Sequence, residues 1–153
     1  EEVVQRILDQ VIALILQEGQ AKEGVLEALS LIEARGLKIG LATSSPFTMV
    51  EAVLGKLGIQ DRFLAVHSAE VERFGKPHPD VYIHAAEKLG VEPVHCLAIE
   101  DSFTGLLAAK AASMQALIVP DPALVGDPRL AIADHQLSSL AELDADMLAR
   151  WVE

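Results

Sequence analysis

The sequence predicts an α/β fold in which a parallel sheet is flanked by helices on both faces. Two observations carry this. Short, nearly continuous apolar runs recur along the chain, as strands covered on both faces require, and segments of helical period alternate with them. Two of these runs also end in hydroxyl or carboxylate residues before the next helical pattern begins, at Thr43-Ser44-Ser45 and at Glu100-Asp101-Ser102, which is the layout of successive βα units. At 153 residues, 51% of them hydrophobic, the chain suffices for one domain with a substantial core.

Val3, Val4, Ile7, Leu8, Val11, Ile12 and Ile15 recur at helical spacing and predict an opening amphipathic helix, Val3 to Gln17. A polar joint from Glu18 to Glu23 precedes a second helix, Val25 to Ala34, stopped by Gly36. Leu37 to Ala42 reads as a buried strand. Ser45-Pro46 then opens a helix, with Ser45 as its cap and Pro46 in its first turn. That helix buries Met49, Val50, Val53, Leu54 and Leu57 and ends at Gly58. A short strand, Phe63 to Val66, leads into a long loop, and a helix from Asp80 to Leu89 ends at Gly90. The strand Cys96 to Ile99, the helix Thr104 to Ala112 and the strand Ala116 to Val119 follow. Pro120, Pro122, Gly126 and Pro128 mark a loop; Leu137 to Leu140 and a last helix from Asp144 complete the pattern.

Composition narrows the partners. The longest near-continuous apolar stretch, Val11 to Leu16, falls far short of the roughly 20 residues that span a bilayer. A net charge of −11 argues against nucleic acid or an anionic membrane surface. It leaves room for a small anionic substrate, because one lysine and a metal suffice to make a locally positive pocket. The single cysteine, Cys96, excludes an internal disulfide and suits a reducing, cytoplasmic setting. No signal-peptide pattern follows Glu1-Glu2. The histidines His67, His78, His84, His95 and His135 show no zinc-type spacing.

Three segments carry chemistry. In Leu97-Ala98-Ile99-Glu100-Asp101-Ser102, an apolar strand delivers two adjacent carboxylates to its C-terminal end, where ligands of open parallel sheets gather. With no basic residue in the next eight positions, the pair calls for a cation between them, and Mg2+ prefers such oxygen ligands. The competing reading is that Asp101 or Ser102 caps the following helix. In Thr43-Ser44-Ser45-Pro46, hydroxyls stand between a strand end and a helix start, where free N–H groups and the helix dipole favour an oxyanion or phosphate. In Gly75-Lys76-Pro77-His78-Pro79-Asp80, two prolines stiffen the backbone after the lysine, and such a frame aims a point charge suited to phosphate.

These segments, in this order, resemble the haloacid dehalogenase (HAD) superfamily, and within it the β-phosphoglucomutase-like branch of small sugar-phosphate phosphatases. The similarity runs to bacterial 2-deoxyglucose-6-phosphate and hexitol-phosphate phosphatases and covers essentially the whole chain. The stretches that carry it are Leu41-Ala42-Thr43-Ser44-Ser45-Pro46, Ser68-Ala69-Glu70, Gly75-Lys76-Pro77-His78-Pro79, Glu100-Asp101-Ser102 and Leu137-Ser138-Ser139-Leu140. The resemblance implies a HAD-like Rossmannoid sheet and Mg2+-dependent hydrolysis of a sugar-phosphate monoester through an aspartyl-phosphate. It implies that Thr43 hydrogen-bonds the phosphoryl group, with the Ser44 amide beside it. Lys76 matches the lysine that neutralises phosphate and nucleophile. Asp101 matches a Mg2+ ligand, with Glu100 as its first- or second-layer partner.

The family's nucleophile lies in an Asp-x-Asp-Gly loop after the first strand, and nothing before Lys38 matches it. The sole Asp-x-Asp, Asp144-Ala145-Asp146, is followed by Met147-Leu148 and reads as a helix cap. The expectation is that about 70 to 80 residues of a family member, including most of a helical cap domain, are missing. Residues 1–20 then represent the last cap helix, and residues 21–153 an α/β core lacking its first strand. In the family that strand lies between those ending at Thr43 and at Glu100-Asp101, so a slot with unpaired backbone groups is expected there. Such a chain is expected to be inactive alone and, through exposed apolar surface, to favour self-association. The alternatives are a sugar phosphomutase of the same branch, or a non-catalytic phosphate-binding half completed by another chain.

Overall fold

A computed structural model describes residues 2–152. The elements in chain order are α1 (Glu2–Glu18), α2 (Val25–Ala34), β1 (Gly40–Thr43), α3 (Phe47–Leu57), β2 (Ala65–Ser68), α4 (Asp80–Leu89), β3 (Leu97–Glu100), α5 (Phe103–Ala111), β4 (Gln115–Ile118), β5 (His135–Gln136) and α6 (Ala145–Trp151). Every strand pair is parallel. β1 pairs with β2, Gly40 opposite Ala65 and Thr43 opposite Ser68. β3, β4 and β5 form a second ladder, with Leu97 opposite Gln115 and Leu117 opposite His135.

Among the described residues β1 and β3 are not paired with each other. Between them lies a cleft of about 640 Å3, lined from one side by Ile39 and Leu41 and from the other by Leu97 and Ile99. The strands ending at Thr43 and Glu100 therefore belong to separate two- and three-stranded sheets.

Both faces of β4 are buried, which explains its unbroken apolar run. Ala116 and Ile118 pack with Val81, Ala98 and Leu106, whereas Leu117 faces Ala28, Leu143 and Leu148. A third cluster joins Leu29, Ile39, Val50, Leu54 and Ile59 under β1. Gly24 opens α2 at φ 79°, and a Cβ there would stand 2.1 Å from the Ala141 backbone nitrogen, so only glycine lets this turn approach 140–142. α1 lies along α3 and buries none of its residues; Val3 and Val4 are exposed. The outer bounds of the two expected units, Glu1 and Glu153, lie outside the described residues. No described helix is long and apolar enough to cross a membrane.

Helices α2 and α4 have the bounds expected from their patterns. The strands are displaced from theirs: the run from Leu37 pairs only from Gly40, and its ladder continues through Thr43. Ile39 packs in the third cluster, and its carbonyl accepts the Leu64 N–H at 2.8 Å just ahead of the paired register. Ser45 does not cap α3. Pro46 is the capping position and offers no side-chain bond, while the Phe47 N–H donates instead to Glu70 Oε2 at 2.9 Å. A carboxylate from beyond β2 has taken the role expected of the local hydroxyl. Ser102 does cap α5, accepting from Gly105 N at 3.1 Å, and Asp144 caps α6, accepting from Met147 N at 2.7 Å.

Candidate active site

The carboxyl ends of β1 and β3 bring the three chemical segments together. After β1, Thr43 Oγ1 accepts the Ser45 N–H at 3.0 Å, which leaves the threonine hydroxyl proton free to point elsewhere. The loop is fastened from β2. Ser68, fully buried, donates to the Ser45 carbonyl at 2.6 Å and accepts from Glu70 N at 3.0 Å. Ser44 stays exposed at the tip of this turn.

Lys76 reaches inward from its proline-framed loop and is almost buried. Its ammonium donates to the Ala42 carbonyl at 3.2 Å, next to Thr43, and to Glu100 Oε1, next to Asp101. It thus spans from the end of β1 to the end of β3. It also lies 4.7 Å from the centre of the Tyr82 ring, in cation–π contact.

The adjacent carboxylates divide their work. Glu100 is buried and fully partnered: Oε1 accepts from Lys76 and the Tyr82 hydroxyl, and Oε2 from Asp101 N and Ser102 Oγ, each at 3.3 Å. Burial, and then the negative charge of Glu100, push the Tyr82 hydroxyl well above the usual tyrosine range, so it stays a donor. Asp101 turns outward, its side chain 57% exposed, with Lys22 Nζ 3.7 Å away. Asp101 is therefore the carboxylate placed to meet a hard cation, and Glu100 is the anion that holds Lys76 and the Asp101 backbone in place.

The structure places Thr43, Ser44, Lys76, Glu100 and Asp101 at one end of the fold. Tyr82 and Lys22 were not legible as members of this site. Tyr82 sits on the buried face of α4, where a phenol reads as core, and Lys22 lies in a polar joint with no marker.

Comparison with known proteins finds similarity along most of the chain. A family model described as a haloacid dehalogenase-like hydrolase matches residues 1–113. Hexitol phosphatase B of Escherichia coli is 46% identical over 145 residues, covering 95% of this chain and 65% of that protein. The β-phosphoglucomutase of Bacillus subtilis is 35% identical over 125 residues, 82% of this chain and 52% of that protein. Among solved structures, CbbY from Rhodobacter sphaeroides in complex with phosphate superposes with a TM-score of 0.80 at 28% identity, covering 88% of this chain and 61% of that one. The chain thus spans between half and two-thirds of the length of these relatives.

Proposed function

This chain belongs to the haloacid dehalogenase-like hydrolases, and from that membership we propose that the whole protein hydrolyses the phosphate monoester of a small sugar or sugar alcohol in a reducing, cytoplasmic setting. The observation that carries the reading is Lys76: one nearly buried ammonium that touches the end of β1 beside Thr43 and the end of β3 beside Asp101. A phosphoryl group seated there meets the free Thr43 O–H, the Ser44 backbone amide at the mouth of the turn, and the Lys76 charge. These donors are fixed before substrate arrives, which is what makes them effective against charge that grows in the transition state.

Asp101 would hold Mg2+, with Glu100 behind it, and that ion supplies positive charge against the phosphoryl oxygens. The attacking carboxylate we place outside these 153 residues. The chain's own Asp-x-Asp is spent on capping α6, where Asp144 accepts the Met147 N–H. The attack forms a bond from carboxylate oxygen to phosphorus as the sugar oxygen leaves, and water then cleaves the aspartyl-phosphate. Thr43, Ser44 and Lys76 hold the phosphoryl oxygens through both steps. The relative whose name reads hexitol phosphatase B supports a polyol phosphate as substrate. The relative named β-phosphoglucomutase supports the second reading, in which the phosphoryl group returns to another hydroxyl of the sugar.

The test is release of inorganic phosphate from hexitol and hexose phosphates by the full-length protein, with and without Mg2+. Mg2+-dependent release that falls by at least about a hundredfold in Lys76→Ala is expected. A Lys76→Ala protein within a few-fold of the parent would remove the lysine from the site. Isomerised sugar phosphate without net phosphate release would decide for the mutase.

A further inference from the structure

Away from the carboxylate end of β3, the fold gathers a second set of ligating atoms. His67 comes from β2, Glu72 from the loop after it and His84 from the middle of α4. The sequence shows no zinc-type spacing for these histidines, yet packing of α4 on β2 brings them together. One oxygen, Glu72 Oε1, contacts both His67 Nε2 and, at 2.6 Å, His84 Nδ1. The two rings meet edge to face, 5.5 Å between centres, so their nitrogens converge instead of stacking.

We propose that His67, Glu72 and His84 form a binding site for a borderline transition metal, Zn2+ or its relatives Co2+ and Ni2+. Two imidazoles and one carboxylate are a donor set that these ions take, whereas Mg2+ and Ca2+ prefer oxygen alone. The side chains of His67 and Glu72 are 6% and 7% exposed, so the anchoring ligands are held by the core. His84 is 42% exposed, which leaves the open side of the site to solvent and gives the ion an entry path and a place for water.

If both imidazoles donate to Glu72, His67 Nδ1 is left as a buried atom with no partner. Because no protein group at Nδ1 fixes the proton to one ring nitrogen, His67 can carry it on Nδ1 and offer the Nε2 lone pair to a cation seated between it and Glu72 Oε1. A divalent ion replaces the protons now shared with Oε1 and balances the buried carboxylate. Glu72 also lies shortly before Gly75-Lys76 in the loop, so the ion would anchor the base of the segment that carries Lys76.

The experiment is a Co2+ titration of the full-length protein followed by visible absorption, in excess Mg2+ so that the oxygen site is filled. One equivalent of Co2+ should give nitrogen-ligand bands, and Zn2+ should abolish them. His84→Ala, half-exposed and so safe for folding, and the isosteric Glu72→Gln should each weaken binding by at least about tenfold. His78→Ala, outside the cluster beside Asp80, should bind as the parent does. Absence of stoichiometric uptake, or equal affinity in all four proteins, would overturn the site.

Discussion

Gly105 leaves the space that the Glu100 carboxylate fills: a Cβ at this position would stand 2.1 Å from Glu100 Cδ and Oε2. The glycine is buried in the first turn of α5. Alanine would ordinarily strengthen a helix by about 1 kcal/mol over glycine. Here the collision is with a carboxylate already fixed by Lys76 and Tyr82, so the group cannot swing aside without leaving donors unpaired. Gly105→Ala should lower stability in urea unfolding by about 1–3 kcal/mol. A variant as stable as the parent would mean that Glu100 relocates at little cost.

Tyr82→Phe tests the other contact to Glu100. The ring stays under the Lys76 ammonium, so packing and cation–π contact survive, and what is lost is the donor to Glu100 Oε1 together with the long 3.5 Å bond that the hydroxyl accepts from Lys76 Nζ. The expected cost is about 1–2 kcal/mol in stability. Because Glu100 then holds Lys76 less firmly, kcat should fall about tenfold, the equivalent of 1.4 kcal/mol, with KM little changed. A rise in KM at constant kcat would place the tyrosine in ground-state binding.

The parts of this arrangement that were legible in the sequence are those whose cause is local. Helices α2 and α4 follow from spacing of their apolar residues and from glycine beyond their ends. The chemical segments announced themselves through composition at element ends: two acids after an apolar strand, hydroxyls before a helix, a lysine between glycine and proline. What escaped depends on distant contacts. Ser45 looked like a cap because Glu70, 23 positions from Phe47, cannot be seen arriving from the sequence. By composition Glu100 and Asp101 form one acidic pair; the resemblance distinguished them without fixing the layer of Glu100, and the contacts that turn Glu100 inward come from the distant Lys76 and Tyr82. His67, Glu72 and His84 have no shared pattern until α4 is laid on β2.

Asp134 offers a pH-dependent check on the second sheet. Its Oδ2 accepts from Lys110 Nζ at 2.6 Å and from Ala116 N at 2.8 Å, tying α5 to the start of β4. Burial opposes its ionisation, but the Lys110 and Ala116 bonds outweigh it and hold the carboxyl below its ordinary value. A depressed native pKa contributes stability that is complete above the unfolded value, about 3.9, and is lost as pH falls through the native one. The stability gap between parent and Asp134→Asn should be constant from pH 8 to about pH 5 and close in more acid solution. A gap that does not change with pH would show that the charge contributes nothing.

Ser68→Ala separates the scaffold of the phosphate turn from its chemistry. Ser68 touches no proposed substrate position; its hydroxyl bridges the Ser45 carbonyl and the Glu70 N–H from a fully buried site. Alanine fits the space but leaves both backbone groups without their partner, which costs about 1–3 kcal/mol. Glu70, no longer held by that N–H, should also grip the Phe47 amide less well, so the start of α3 loosens. The turn that presents Thr43 and Ser44 is then less ordered before substrate binds. Phosphate affinity should drop while the pH profile of turnover keeps its shape, because no titrating group has been touched. Urea unfolding and inorganic phosphate inhibition, measured on the same variant, distinguish this from a general loss of fold. A Ser68→Ala protein destabilised as expected but inhibited by phosphate as strongly as the parent would show that the turn is set by β1 alone.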